Sequence, residues 1–105
     1  VSTAALCGRL ADDPVTVTDQ RGAATVRFTV VHVPRIYSRS EDRWINGEAV
    51  AMPVLAHGLL AERAVQTLHA ASQVMVIGEL RSCDGTTAIL ASDLGVPLSA
   101  VPSAR

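Results

Sequence analysis

From Ala4 to Leu10 the side chains alternate, with Leu6 and Leu10 on one side and Ala5, Cys7 and Arg9 on the other. That two-residue period predicts a half-buried strand. Asp12-Asp13-Pro14 ends it, because proline fixes its own φ and biases its predecessor away from helix. Val15 to Thr18 reads as a short continuation, and Asp19-Gln20-Arg21-Gly22 as a turn. The clearest strand pattern runs from Ala23 to Ile36, where Val26, Phe28 and Val30 alternate with Arg27, Thr29 and Val31. Pro34 predicts an edge or a bulge at its end. Tyr37 to Gly47 is polar and charged and predicts a long hairpin loop, followed by an apolar third strand over Glu48 to His57.

The period then changes. Leu60, Ala64, Val65 and Leu68 fall on one side of a helix over Leu59 to His69, opposite Glu62, Arg63 and Gln66. Gln73 to Ser82 is apolar on both faces and predicts a strand. Asp84-Gly85 is a strong two-residue hairpin signal, and Thr86 to Leu94 returns as the last strand. Three strands, one helix and two strands is the order of an all-β OB-fold, a five-stranded Greek-key barrel with its helix between strands three and four. The barrel is expected over residues 1–96, with a short C-terminal tail over 97–105.

Composition narrows the chemistry. The 105 residues are 49% hydrophobic, enough for one core, with only one Trp, one Tyr and one Phe. The core must therefore rest on Val, Leu, Ile and Ala, with Phe28 among them and Met52 and Met75 as adaptable fillers. The nine basic residues are all arginine, yet the net charge is −1, so any polyanion footprint must be local. Cys7 and Cys83 lack metal-site spacing and are expected reduced and unpaired within the chain, Cys7 as a small buried hydrophobe. The three histidines, His32, His57 and His69, lie on different elements. There is no nucleophile elbow, phosphate loop or dinucleotide motif, so neither catalysis nor a metal or cofactor is expected. No leader-like or membrane-spanning stretch is visible, and a cytoplasmic protein is expected.

At this point the residues themselves resemble the bacterial single-stranded DNA-binding protein family. Leu6-Cys7-Gly8-Arg9-Leu10 followed by Asp12-Asp13-Pro14 is similar to the family's opening strand. Gly22-Ala23 and Val26-Arg27-Phe28-Thr29-Val30 resemble its second strand. Arg43-Trp44-Ile45-Asn46-Gly47-Glu48 resembles the Trp-x-Asp-Gly-Glu element after the long loop, Leu60-Ala61-Glu62 the helix, and Ser72-Gln73-Val74 to Gly78-Glu79-Leu80-Arg81 the fourth strand. The resemblance implies a sequence-tolerant binder of single-stranded DNA acting in replication, recombination or repair. It implies a groove across the second and third strands and a dimer or tetramer.

Single strands offer regular phosphate charge and bare base faces, so such a groove combines cations with aromatic platforms. The candidates here are Arg9, Arg27, Arg35, Tyr37, Arg39, Arg43, Trp44, His57 and Arg81. Against six of them stands a plain reading: a solvated arginine for Arg27, a charge lattice with Glu41 and Asp42 for Arg35, Arg39 and Arg43, a cap on the barrel for Trp44, local helix-start structure for His57. The chain also departs from the family pattern. Ala51 and His57 stand where stacking aromatics are usual, the last hairpin is clipped to Asp84-Gly85, and no acidic tail for recruiting repair proteins precedes Arg105. The alternative is a degenerate OB-fold interaction module that oligomerises, for instance with a full-length relative, and has lost DNA binding.

Overall fold

The computed structural model describes residues 2–18, 24–83 and 85–98. Eight strands and one helix follow in order: β1 (Thr3–Leu10), β2 (Val15–Thr18), β3 (Ala24–His32), β4 (Arg35–Ser38), β5 (Arg43–Asn46), β6 (Val50–His57), α1 (Gly58–Thr67), β7 (Gln73–Cys83) and β8 (Thr86–Gly95). Hydrogen-bonded neighbours run β1-β7-β8-β6-β3, and a further antiparallel pairing of β1 with β3 closes the ring. All contacts around the ring are antiparallel except β6 with β8. This is the expected five-stranded barrel, with the helix between its third and fourth strands.

The barrel fills with the inward half of each alternation. Val26, Phe28 and Val30 of β3, Val54 and Ala56 of β6, Val74 and Val76 of β7, and Ile89 and Ala91 of β8 are buried together with Leu10. Ala61 and Ala64 of α1 and Leu68 just after it join the same cluster, so the helix packs onto the core rather than standing beside it. No charged or polar side chain is buried among the described residues. The helix face differs by one position from its sequence pattern: Ala61 is buried and Val65 is exposed, because the smaller residue sits at the close approach. Helix and barrel are tied below by Asp13, whose carboxylate accepts the Ala70 N–H at 2.7 Å.

Glycines permit two close approaches. At the seam, a Cβ on Gly8 would lie 2.3 Å from the Val31 carbonyl oxygen and 2.8 Å from Val30 Cγ1. A bare backbone there lets β1, still paired with β7 through Arg9↔Gln73, also reach β3 at Arg9↔Val31 and Leu10↔Val30. A Cβ on Gly78 would lie 2.1 Å from the Leu90 carbonyl oxygen, at the register shift in the β7–β8 ladder.

Several sequence expectations are corrected. Val15–Thr18 does not simply prolong β1; it pairs antiparallel with β3, Val15 opposite Arg27 and Thr18 opposite Ala24. The long strand predicted to Ile36 stops at His32, and Val33-Pro34 breaks it. The segment predicted as a loop is a two-stranded ribbon, β4 against β5, which continues away from the barrel. Cys7 is exposed rather than buried, since odd-numbered residues of β1 face outward. Of the four apolar residues expected to crowd both faces of β7, Val74 and Val76 are fully buried, and only Met75 and Ile77 are half exposed. The expected two-residue turn is supported by the pairing of Cys83 with Thr86 and by Gly85 at φ 79°. Asp84, the Asp19–Gly22 turn and residues 99–105 lie outside the described residues, as does the Cys83 side chain.

Candidate nucleic-acid interface

The outward face of β3 and β6 follows directly from their register. Thr25 stands opposite His57, Arg27 opposite Leu55, Thr29 opposite Pro53 and Val31 opposite Ala51. Alternation places these eight side chains on one surface. The seam adds Arg9 beside Val31, and β2 adds Val15 beside Arg27. Arg9, Arg27 and His57 therefore share one barrel face, around an apolar strip of Val31, Ala51, Pro53 and Leu55. No aromatic ring other than the His57 imidazole lies on it.

His57 ends β6 and caps α1 by backbone only, without a side-chain hydrogen bond to the helix. Its Nδ1 lies 2.9 Å from Thr25 Oγ1 across the strand pair, which fixes the ring on the outward face. A second histidine, His32, donates from Nδ1 to the Cys7 carbonyl at 2.8 Å and bridges the seam. Neither Thr25 nor His32 stands out in the sequence; the strand register alone brings them to these partners.

The ribbon carries the aromatic pair. Its pairs are Arg35↔Asn46, Ile36↔Ile45, Tyr37↔Trp44 and Ser38↔Arg43. Successive pairs point to opposite sides, so Arg35, Tyr37 and Trp44 share one face while Arg43 lies on the other with Ile36 and Ile45. The Ile36 and Pro34 side chains both lie against Gly47, and Gly47 N–H donates to the Pro34 carbonyl at 2.7 Å, closing the ribbon's base. The Tyr37 and Trp44 rings meet edge to face, centroids 5.6 Å apart and planes at 69°. Trp44 is 60% exposed and does not cap the barrel core. Tyr37 donates its hydroxyl to Asp42, and this bond, more than burial, raises the phenol's pKa above its ordinary value.

The charge lattice suspected from the sequence is partly real. Arg43 Nε lies 3.3 Å from Glu41, and Arg81 Nη2 lies 2.9 Å from Glu79, both exposed pairs. In β7 the spacing of two puts Glu79 and Arg81 on one side of an extended chain, whereas Glu41 reaches Arg43 from within the ribbon's turn. Arg9, Arg27, Arg35 and Arg39 have no ion-pair partner among the described residues. Arg81 stands apart, on the β7–β8 hairpin beyond the last β1 pairing at Glu79. The nine candidates thus divide into a barrel face, a ribbon face, the ribbon's turn and back with Arg39 and Arg43, and an isolated Arg81. Among the described residues no group of His, Cys, Asp and Glu could hold a metal ion, and no helix is long and apolar enough to cross a membrane.

A closed five-strand barrel with this helix placement defines an OB-fold protein. A sequence profile described as the single-strand binding protein family matches residues 1–87, and the chain belongs to that family. The chain is 35% identical over 80 residues to the single-stranded DNA-binding protein of Mycobacterium leprae (strain TN), covering 76% of this chain and 48% of that one. It is 31% identical over 74 residues to single-stranded DNA-binding protein 2 of Streptomyces coelicolor, covering 70% and 37%. The chain spans about half the length, or less, of these curated relatives. Its structure is similar to the crystal structure of the small single-stranded DNA-binding protein from Streptomyces coelicolor, with a TM-score of 0.77 and 26% identity over 93% and 94% of the two chains.

Proposed function

We propose that the chain binds single-stranded DNA without sequence preference and without catalysis, as part of replication, recombination or repair in the cytoplasm. The observation that carries this reading is the residue content of two successive elements. β3 carries Arg27 on the barrel face it shares with Arg9, and after the Val33-Pro34 break the chain forms a ribbon, one face of which offers Arg35 beside two exposed aromatic rings. Arginine supplies phosphate contacts and Trp44 a stacking platform, the two elements that sequence-tolerant binding requires. The ion pairs of Arg43 and Arg81 are exposed and therefore weak, so a phosphate can take the place of either glutamate.

The test is a salt titration of a fluorescent oligothymidine against duplex of the same length. With three to five arginines on phosphates, log affinity should fall against log salt with a slope of about −2 to −3.5, at roughly −0.7 per contact. Single strands should bind more tightly throughout. A flat response, or equal affinity for duplex, would overturn the reading in favour of the interaction module that has lost DNA binding.

Self-association belongs to the same proposal. Outward on adjacent strands stand Ala5 opposite Ile77 and Cys7 opposite Met75, an apolar patch in which Met75 and Ile77 are about half exposed. The ladder pairing of β1 with β3 involves only Arg9 and Leu10, and His32 covers the Cys7 carbonyl, which leaves Thr3–Leu6 with an edge open to a second copy. A dimer or tetramer is expected by light scattering at micromolar concentration, and Met75→Asp with Ile77→Asp should shift it toward monomer. A wild-type monomer would contradict this.

A further inference from the structure

Asp42 presents a problem for a surface meant to meet phosphates. It lies between Arg39 and Arg43 in the ribbon's turn, where a carboxylate repels the ligand. Both acids of this turn nevertheless have local partners: Glu41 pairs with Arg43, and Asp42 accepts the Tyr37 hydroxyl. The backbone is arranged for that second contact. Asp42 has φ 52°, the left-handed region in which Asp, Asn and Gly are the tolerated residues.

We propose that Asp42, acting through the Tyr37 hydroxyl, is a positioning residue that holds the Trp44 ring ready to receive a base. The inference rests on the single-strand reading above. A ribbon of two four-residue strands is marginal without support, and rings on its exposed face are free to change rotamer. Tyr37 is held at two points, its hydroxyl by Asp42 and its ring by the edge-to-face contact with Trp44. An edge-to-face pair leaves at least one indole face clear, and stacking needs only one. A phenol is protonated, and so able to donate, throughout the neutral range. The ordered chain is therefore turn, carboxylate, phenol, indole, base.

Two charge-matched substitutions isolate the contact. Asp42→Asn and Asp42→Gly each remove the negative charge, and each tolerates positive φ, but only asparagine keeps an acceptor for the phenol. Asp42→Asn should bind oligothymidine at least as tightly as wild type. Asp42→Gly should bind about two- to tenfold more weakly than Asp42→Asn, the effect of one net hydrogen bond. Tyr37→Phe should weaken binding relative to wild type by the same factor, and adding it to Asp42→Gly should cost nothing further. In the DNA-free protein both lesions should lower the anisotropy and near-ultraviolet dichroism of the single tryptophan, while the melting temperature stays put. If Asp42→Asn and Asp42→Gly bind alike, or the two lesions add, the positioning role is wrong while the single-strand reading stands. If wild type fails to bind oligothymidine at low salt, that reading falls and the positioning role with it.

Discussion

Trp44→Ala should weaken oligothymidine binding by about 5- to 150-fold, the ~1–3 kcal/mol that a base stacked on an aromatic contributes. The melting temperature should change little, because the ring is 60% exposed and touches Tyr37 rather than the barrel core. Trp44 is the only tryptophan, so its fluorescence should be quenched as single strands saturate the wild type. The size of the effect follows from scarcity. On the barrel face, Ala51 and His57 stand where the family's stacking rings are expected, which leaves this one indole to carry most of the base contact. Unchanged affinity in Trp44→Ala, with no quench in wild type, would place the base contacts elsewhere or nowhere.

The same scarcity explains what could be read from the residues alone. The barrel was legible because its strands are half buried, and burial writes a two-residue period into the sequence. Val26, Phe28 and Val30 are apolar because they face inward, and they do face inward. The ribbon was not legible because neither of its faces joins the barrel core. Arg-Ile-Tyr-Ser and Arg-Trp-Ile-Asn therefore carry charges and polar groups that look like a loop, and only the pairing across the turn makes them strands. For β7 the difficulty was the opposite. Val74, Met75, Val76 and Ile77 are all apolar, so alternation cannot say which pair is inside. The register does, by setting Met75 opposite Cys7 on the outer surface.

The candidate arginines show a related limit. Arg43 and Trp44 are neighbours in sequence and read as one interleaved cluster. In an extended chain neighbours point to opposite sides, so Trp44 joins Arg35 and Tyr37 while Arg43 turns to the ribbon's back. Arg9 lies far from Arg27 in sequence, yet barrel closure puts them on the same face. The residue types were visible, but their grouping is a property of the seam and the ribbon.

Closure itself can be tested at Gly8. Gly8→Ala should lower the melting temperature by about 10–20 °C or prevent folding. Its Cβ would point at backbone, 2.3 Å from the Val31 oxygen and 2.8 Å from the Val31 carbonyl carbon, with Val30 Cγ1 equally near. None of these is the free end of a flexible side chain, so β1 and β3 must separate. Overpacking of this kind costs about 1–3 kcal/mol, and sometimes more where backbone has to move. In a domain of 60–100 residues each 1 kcal/mol shifts the midpoint by about 4–8 °C. The atoms that the Cβ would meet belong to β3 rather than β7, so the strain falls first on the two pairs that close the ring, Arg9↔Val31 and Leu10↔Val30. Any folded fraction should also bind single strands less well, because Arg9 then loses its place beside the apolar strip. Gly95→Ala is the matched control: nothing lies within 4 Å of its added Cβ, and its φ is outside the left-handed region. It should leave the melting temperature unchanged or a few degrees higher, through the reduced freedom of the unfolded chain. Equal melting temperatures for the two variants would mean that the seam tolerates a side chain at Gly8, and that the tight β1–β3 closure does not set the groove.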